Sequence, residues 1–551
     1  MAKDTQTDKT ILEGGMGAPL VSGDFELLEV SIHSPSNLGK PLELNHESVF
    51  VELNIFEDLF SNVLKGTFTF KDTQGWAEMI PLIGDETLVI SYSTPGGGGT
   101  QVDTQSQAPD SQTASEEITK QRFKVYDCTE VGGEERSKTY QLSLVSEEYM
   151  FSKKTKVSRG YKGRSYSYIT KDIMKKLNRE FIGENYKKLY IEETLSPQNV
   201  IIPNWTPFQA INFCASRSLS ADTESVEQEE GSENPPPTAR PAGSLFVFYE
   251  KFGTGFFYES IESMILKQKV GGNLPLYQYR PKLVEDTSLS SPLQYFSVDK
   301  FEITNSFKTL ENLGHGMFGS RLIAYDPIRM KYDEVKYDYH EKTANDTSES
   351  HDLDTGATTS TPNVEQADGS QRVFSDFVAT DISTIDNKSN KLISSKSDYV
   401  GSNNASIKLA TTTKDHDVLF VAPSDDTTYV GKISKKKTFK DQGAKSNRVE
   451  NWLLQRQAQV SEFGNITVTF TVPGNTSRHV GDLIRFEVPT NIPDDDSEIG
   501  SVQIGHQLYS GYYLVSKIRH IIKTDGFEMD LELIKNSFAK RIPGQTEGEG
   551  T

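Results

Sequence analysis

The chain has 551 residues, with 58 basic and 78 acidic side chains and a formal net charge of −20. At about 150 residues per domain, this length predicts three or four domains. The hydrophobic fraction of 35% and the mean hydropathy of −0.52 favour several small modules over one large core. A surface this acidic argues against duplex nucleic acid or an anionic membrane as the main ligand, because Lys and Arg drive binding to phosphates.

The two cysteines, Cys128 and Cys214, predict neither a disulfide framework nor a zinc site of paired thiols. Each lies among apolar neighbours, so both are expected to be buried free thiols. The first residues contain no apolar core, which argues against a signal peptide, and no run of about 18 apolar residues could cross a membrane. The protein is therefore expected to be made, and to stay soluble, in a reducing cytoplasm.

Most of the ordered pattern is that of β-strands. Apolar and polar residues alternate over 49–56, 66–70, 87–92, 140–145, 466–470, 483–488 and 527–533. Such alternation gives a strand one buried and one wet face, as in antiparallel sheets and barrels. The predicted fold class is mainly β, a β-rich α+β fold.

Helices are predicted at three places. One follows Ser165, where apolar residues recur at helical spacing. A second begins at Thr206, with Pro207 in the first turn and Gln209 three residues after the cap, which is a capping-box pattern. Asn447 opens the third.

Three polar stretches interrupt these elements, at 94–120, 220–244 and 343–371. The first is rich in Gly, Ser and Thr, the second is acidic and then rich in Pro, and the third is almost without apolar side chains. They bury too little apolar surface to offset their chain entropy, so they are predicted to be long flexible loops inserted into domains.

The two ends of the chain resemble each other. A strand at 66–70 is followed by a loop, Gly84-Asp85 and a second strand; a strand at 466–470 is followed by a loop, Gly481-Asp482 and a second strand. Each copy then ends in a hairpin, through Gly132-Gly133 in the first and Asp525-Gly526 in the second. The shared order of four elements predicts a duplicated small barrel, although all β-hairpins share some of these features.

With this order of elements, the chain resembles the central hub protein of contractile-tail baseplates, best known from T4-like bacteriophages. The residues that carry the resemblance are 64–70, 81–86, 202–208, 316–326 and 512–518. It covers roughly residues 24–340 and 418–540, and the three polar insertions depart from the compact family pattern.

The resemblance implies two related tube-like antiparallel β-barrels with small α/β domains between them. The first barrel would span 24–155, with the flexible loop 94–120, and the α/β domain 156–290, with the loop 220–244. The second barrel would be split into 291–340 and 461–540 by an inserted region, 341–460.

The function that the resemblance implies is structural. Such a hub is a homotrimer whose six barrels form a ring, which binds the tail tube or a tube-initiator protein on one face and the spike protein on the other. Baseplate wedge proteins would surround it, and genomic DNA would pass through its lumen without specific binding. The implied location is the virion tail baseplate, after assembly in the host cytoplasm. An acidic lumen would repel phosphate, which gives the net charge one interpretation.

The motifs that could carry chemistry are weak. The spacing Gly314-x-Gly316-x-x-Gly319 is that of a dinucleotide turn, but a strand is predicted after it where that fold needs a helix, so a simple glycine turn is favoured. Residues 494–496 are three aspartates that predict a solvated turn, with cation binding as the alternative. Lysines 435–437 form a local basic patch, either a solvated loop or a contact to an acidic neighbour. No catalytic, cofactor-binding or metal-binding residue is predicted.

Two other functions remain open from the sequence. One is a tail-associated enzyme that degrades cell wall or polysaccharide with paired carboxylates on a β scaffold, although nothing singles out such a pair among 78 acids. The other is the hub of a related contractile injection system.

Overall fold

The computed structural model covers the chain in segments. The residues it describes are 23, 25–35, 40–46, 48–76, 82–94, 119–134, 137–178, 187–194, 198–221, 244–271, 274–279, 296–298, 300–305, 308–326, 330–338, 363–365, 371–373, 418–423, 449, 453–464, 466–488 and 509–535.

Within these residues the structure is mainly β, as predicted. The strands of the N-terminal half are β1 (Glu26–His33), β2 (Leu42–Glu43), β3 (Phe50–Asp58), β4 (Lys65–Asp72), β5 (Thr87–Ser93), β6 (Thr119–Glu134), β7 (Ser137–Ser146), β8 (Val157–Arg164), β9 (Lys188–Ile191), β10 (Gln198–Trp205), β11 (Phe246–Lys251) and β12 (Gly255–Ser260). Those that follow are β13 (Leu276–Tyr279), β14 (Ser297–Val298), β15 (Phe301–Asn305), β16 (Gly319–Asp326), β17 (Lys331–Asp338), β18 (Asn363–Glu365), β19 (Gln371–Val373), β20 (Leu419–Pro423), β21 (Ile466–Pro473), β22 (Leu483–Glu487), β23 (Gly511–Lys523) and β24 (Gly526–Lys535). The helices are α1 (Glu147–Lys154), α2 (Tyr166–Leu177), α3 (Pro207–Ala215), α4 (Ile261–Gly271), α5 (Thr309–Gly314) and α6 (Leu453–Phe463).

The predicted helix starts at Ser165 and Thr206 are confirmed. The Ser165 side chain accepts a hydrogen bond from the Tyr168 N–H at 3.3 Å. Thr206 and Gln209 bond each other's backbone N–H groups reciprocally, which completes the capping box. The proposed start of the third helix at Asn447 lies outside the described residues, and α6 is described from Leu453.

Two groups of strands share one order of pairing. The first module runs β3-β4-β7-β6-β5-β1, and the second runs β15-β21-β24-β23-β22-β13. Each is curved around the same continuous apolar core, to which β3, β4, β21 and β24 contribute alternate residues. The predicted pair of related sheets is therefore present, but within the described residues neither closes into a barrel, because strands β3 and β1 pair with other strands instead of each other.

The strands that follow the α/β region pair in two different sheets. Strand β13 joins the second module through a parallel pairing with β22. Strand β16 pairs with β17 on one side and β20 on the other in a separate three-stranded sheet, which packs with α6 around its own core. The domain boundaries remain a prediction.

An α/β unit lies between the modules. Strands β8 and β10 form a two-stranded sheet, β11, β12 and β9 form a three-stranded one, and α1, α2 and α3 pack with them around a second core. Strand β11 and helix α4 also contribute to the core of the modules, so this unit is anchored to them. Among the described residues, no helix is long and apolar enough to span a bilayer.

Candidate assembly surface

Each module has a β-bulge at the same place, and the residues around the two bulges correspond one to one. In the first, the β6–β7 pairing shifts between Val125 and Asp127; in the second, the β23–β24 pairing shifts between Val515 and Lys517. Leu144 lies opposite Val125, and Leu533 opposite Val515, so the two bulges occupy the same place in the two sheets. A shared bulge in a shared strand order shows that the repeat is structural.

The loop before β5 and the loop before β22 are closed in a similar way. Gly84 and Gly481 both have a positive φ, at 89° and 81°. The Glu86 carboxylate accepts from the Gly84 N–H at 2.9 Å, and the Asp482 carboxylate accepts from the His479 N–H at 3.0 Å. The predicted turns are present, although in the first copy the carboxylate that closes the loop is Glu86, not the Asp85 of the Gly-Asp pair.

Two details of the predicted repeat differ. The cross-strand partners place Phe68 opposite Leu142 and Phe470 opposite Leu531, so 66–70 is equivalent to 468–472 and not to 466–470. The glycines at 132 and 133 lie inside β6, beside a second bulge, and the hairpin turns after Glu134. Glycine in a strand commonly marks such a bulge, and glycine is also common in turns, so the sequence pattern alone does not separate the two.

The two modules are joined edge to edge. Strand β23 pairs with β22 through its first residues and with β3 through its last seven, in a register that places Arg519 opposite Phe56. The result is a continuous antiparallel path of eight strands within a 14-stranded sheet, here called the eight-stranded sheet. Its order is β15-β21-β24-β23-β3-β4-β7-β6, and it is built from two four-strand units.

Both ends of this sheet are open among the described residues. The outer half of β6, defined here as residues 126–134, pairs with β7 alone, and its side chains 126–133 are all exposed. Tyr126 is 54% and Val131 61% exposed. The equivalent part of β23 is covered by β3, and there Ile518 is 1% exposed. At the other end, β15 pairs with β21 alone.

Cys128 lies on this open edge, and the prediction that it is buried is wrong. Its cross-strand partner Leu142 belongs to the core, so Cys128 is on the core side of the sheet. It is exposed because, within the described part of the chain, no strand covers the outer half of β6. Cys214 is fully buried, as predicted. Burial raises the pKa of the Cys214 thiol to about 12.

Side chains on the outward face of the eight-stranded sheet carry paired charges. Lys517 contacts Glu532 at 3.0 Å, and Arg519 lies 3.7 Å from both Asp530 and Glu52. Around β23 the acidic side chains of this face are therefore paired with basic ones. Exposed pairs of this kind stabilise a fold by at most about 1 kcal/mol, so their main effect is on the local potential.

The junction between the modules holds a buried carboxylate. Glu57 accepts hydrogen bonds from His520 Nε2 at 3.0 Å and from the Val480 N–H at 3.3 Å, and His479 Nδ1 lies 3.5 Å away. Burial alone would raise the pKa of Glu57, but the two histidines outweigh it and hold it well below its ordinary value. Burial would likewise lower the pKa of His479, but Glu57 raises it above its ordinary value.

These shifts predict a pH window for the stability of the junction. A histidine whose pKa is raised by folding contributes its full stabilisation of the fold when the pH is below its unfolded pKa of about 6.5. This stabilisation is lost as the pH rises through its folded pKa. A lowered Glu57 pKa stabilises above its unfolded value of about 4.3, and this contribution is lost as the pH falls. The thermal midpoint should therefore be highest between about pH 4.5 and 6.5. In Glu57→Gln the decline from pH 6 to 8.5 should become shallower; an unchanged slope would contradict the assignment to this pair.

A second buried carboxylate attaches the α/β unit to the first module. Glu250 of β11 accepts hydrogen bonds from the Leu64 N–H at 3.2 Å, from Gln121 Nε2 at 3.0 Å and from Ser146 Oγ at 2.6 Å. Lys187 donates to the same carboxylate. Leu64, Gln121 and Ser146 lie in three different segments of the first module. The Glu250 side chain of the α/β unit therefore binds three segments of that module.

Lys187 joins a further carboxylate to this cluster. It contacts Glu148 of α1 at 2.9 Å, and both carboxylates are almost fully buried. Burial alone would lower the pKa of Lys187, but Glu250 and Glu148 raise it above its ordinary value. Burial raises the pKa of Glu148 despite the lysine. The cluster is thus held together by one cation.

The sequence motifs do not meet at this surface. Gly316, with φ of 74°, forms a turn between α5 and β16, and a Cβ there would lie 2.8 Å from Val418. A helix precedes the motif and a strand follows it, the reverse of a dinucleotide fold. The triple aspartate 494–496 and the lysines 435–437 lie outside the described residues. Among the residues that are described, no three His, Cys, Asp or Glu side chains are placed to hold a metal ion.

Comparison with known proteins gives structural neighbours only. No protein-family model and no curated protein sequence matches the chain. The chain is similar to a tail protein from Neisseria meningitidis MC58, at 11% identity and a TM-score of 0.44, over 92% of this chain and 96% of that one. A 43 kDa tail protein of prophage MuSo2 from Shewanella oneidensis has 9% identity and a TM-score of 0.43, over 92% and 98%.

A third similar structure is a type VI secretion component from E. coli, itself described as similar to T4 bacteriophage tail proteins. It has 7% identity and a TM-score of 0.34, over 95% of this chain and 80% of that one. Two of these neighbours are tail proteins, one of them from a prophage, and the third is a component of a type VI secretion system. The sequence resemblance to tail hubs predicts neighbours of this kind.

Proposed function

We propose that the chain is the structural hub of a contractile-tail baseplate, which joins the tail tube to the central spike and forms part of the channel for DNA ejection. One observation carries the proposal. The eight-stranded sheet repeats a four-strand unit twice, and its two open edges are equivalent to the two strands that pair at its centre.

The equivalence predicts how copies join. Strand β15 corresponds to β3, and the outer half of β6 corresponds to the part of β23 that pairs with β3. If two copies join as β23 and β3 join within one chain, then β6 of one copy pairs with β15 of the next. In that register Thr129, the equivalent of Arg519, lies opposite Asn305, the equivalent of Phe56.

Each chain then contributes two equivalent units to a closed ring. Three chains present six units, so one face of a homotrimer matches a sixfold tube and the other a threefold spike. The number three rests on the resemblance of the sequence to tail hubs. Ring closure also removes the open strand edges, which are otherwise a source of aggregation.

The partners that follow are structural. They are the spike protein, the tail tube or a tube-initiator protein, and the baseplate wedge proteins, with genomic DNA crossing the lumen without specific binding. The proposed location is the baseplate of the virion, reached after assembly in the host cytoplasm. The role requires no catalysis.

Assembly can be tested with the native thiol. Light scattering of the purified chain, with and without tail-tube protein, is expected to give a species of about three times 61.5 kDa. Because the equivalent Ile518 is 1% exposed, Cys128 should react with a thiol reagent in the single chain and be protected in the ring. Buried Cys214 serves as the internal control. A chain that stays monomeric at every concentration, with or without tube protein, would contradict the proposal.

The predicted register can be tested by disulfide formation. Thr129→Cys combined with Asn305→Cys, in a Cys128→Ser background, should give crosslinked dimers and trimers under mild oxidation. The matched control combines Thr129→Cys with Lys300→Cys and retains Asn305. It should crosslink far less, because the second cysteine is displaced by five residues along the chain. Equal yields from both pairs would show that the edges do not pair as proposed.

A further inference from the structure

A basic surface stands out on this acidic chain. Between residues 153 and 177 there are nine Lys and Arg residues and one acid, Asp172. All nine basic side chains are exposed. A solvated helix face is usually mixed in sign, so this concentration over the end of α1, β8 and α2 favours a partner of opposite charge.

The core of this surface is held in place by contacts. Arg159 of β8 bonds Asp172 of α2 at 2.7 Å, and Asp172 also accepts from the Tyr161 hydroxyl at 2.8 Å. The Arg164 guanidinium lies 4.4 Å above the ring of Tyr168. Stacking of this kind limits the freedom of the arginine and leaves its N–H groups directed outward.

We define the α2 basic surface as Arg159, Arg164, Lys171 and Lys175. The two lysines lie one helical turn apart, so they share a face of α2. Within the described part of the chain, only Arg159 of these four forms an ion pair. The surface therefore has an excess of positive charge.

An acidic run of the same chain leaves the described structure beside this surface. Residues 222–233 contain Asp222, Glu224, Glu227, Glu229, Glu230 and Glu233, and the next basic residue is Arg240. The last described residue before the run, Ala221, donates its N–H to the Glu193 carbonyl at 3.0 Å. Glu193 and Thr194 in turn contact Ser167, in the first turn of α2, at 2.8 and 2.9 Å.

We propose that the acidic run 222–233 binds the α2 basic surface of its own chain. The run starts next to the first turn of α2, a helix of 12 residues that is about 18 Å long. Twelve residues of chain reach roughly 40 Å, so the run spans the surface easily. A tether this short gives an effective concentration of the order of millimolar, which makes weak charge pairs sufficient.

The observations favour this partner over nucleic acid. The acids are attached a few residues from the surface, whereas DNA would have to approach a chain with a net charge of −20. The inference does not depend on the assembly proposed above, because every residue it uses lies in the α/β unit or the run that leaves it.

Lysine reactivity in the full-length chain tests the proposal. A variant with all six acids changed to their amides keeps the length of the run. At low salt, acetylation of Lys171 and Lys175 should be severalfold slower in the native chain than in the variant, and the difference should vanish at about 0.5 M salt because of screening. Exposed Lys65 of β4 is the control and should react equally in both.

Three results would overturn the proposal. Equal acetylation of Lys171 and Lys175 in both chains would show that the run does not bind there. Protection that appears only on adding a short DNA duplex, equally in both chains, would identify a nucleic-acid surface. Carbodiimide crosslinks between the run and α2 that join isotopically light to heavy chains in a mixture would assign the contact to a neighbouring copy. Crosslinks confined to one isotope, and lost at high salt, would support it.

Discussion

In light scattering, Cys128→Asp is expected to remain a single chain of 61.5 kDa under conditions in which the wild type forms the ring. Cys128 faces the same side of the sheet as buried Leu142, and its equivalent in the joined modules, Ile518, is 1% exposed. Pairing with a neighbour would bury the new carboxylate without a partner, at a cost of several kcal/mol for each contact. Because Cys128 is exposed in the single chain, its own fold should change by no more than about 0.5 kcal/mol.

Thr129→Asp is the matched control. The next residue along a strand points to the opposite face, and the equivalent Arg519 stays on the outward face among ion pairs. This variant should assemble like the wild type, within about 1 kcal/mol per contact. If the two variants assembled equally well, or failed equally, the pairing of β6 with β15 would be wrong.

Lys187→Met is expected to destabilise the chain by about 3–5 kcal/mol at neutral pH, the cost of leaving a buried charge without its partner. The substitution leaves Glu148 and Glu250 facing each other, 2% and 0% exposed, with no cation between them. The urea midpoint of the transition should fall by about 1 M or more. The deficit should shrink as the pH is lowered, because protonation of Glu148, whose pKa burial already raises, removes one of the two charges.

The neighbouring Lys188→Met separates this effect from a general loss of charge. Lys188 is exposed at the start of β9, so its replacement should move the midpoint by no more than the equivalent of about 0.5 kcal/mol. Equal shifts for Lys187→Met and Lys188→Met would show that the cluster does not hold the α/β unit to the first module.

The sequence predicts the strands well because each strand contains its own alternation of apolar and polar residues. The alternating runs at 49–56, 66–70 and 527–533 became β3, β4 and β24, and the order of the repeat is present in the pairing. The register of the repeat was off by two residues because a period of two looks the same after a shift of two. Gly132-Gly133 predicts a turn but lies beside a bulge, because glycine is common in turns and bulges alike.

The junction was harder to see from sequence. Strands β3 and β23 pair across more than 450 residues, and neither carries a local mark of its partner. One feature of the sequence indicates the junction. Glu57 and His520 each lie two residues after a buried isoleucine, Ile55 or Ile518, and so point to the buried face of their strands. A polar residue on that face needs a buried partner, and here each is the partner of the other.

The two open edges make each subunit bifunctional in the sense of polymer chemistry. A molecule with complementary ends either grows into a chain or cyclises, and the outcome depends on how its internal rotation matches a closed turn. Cyclisation is unimolecular while growth is bimolecular, so dilution favours small closed species and crowding favours long open ones. A cell that makes this chain ahead of its partners would therefore benefit from keeping its free concentration low, since the edges that would build the proposed ring are the same ones that would build a fibre.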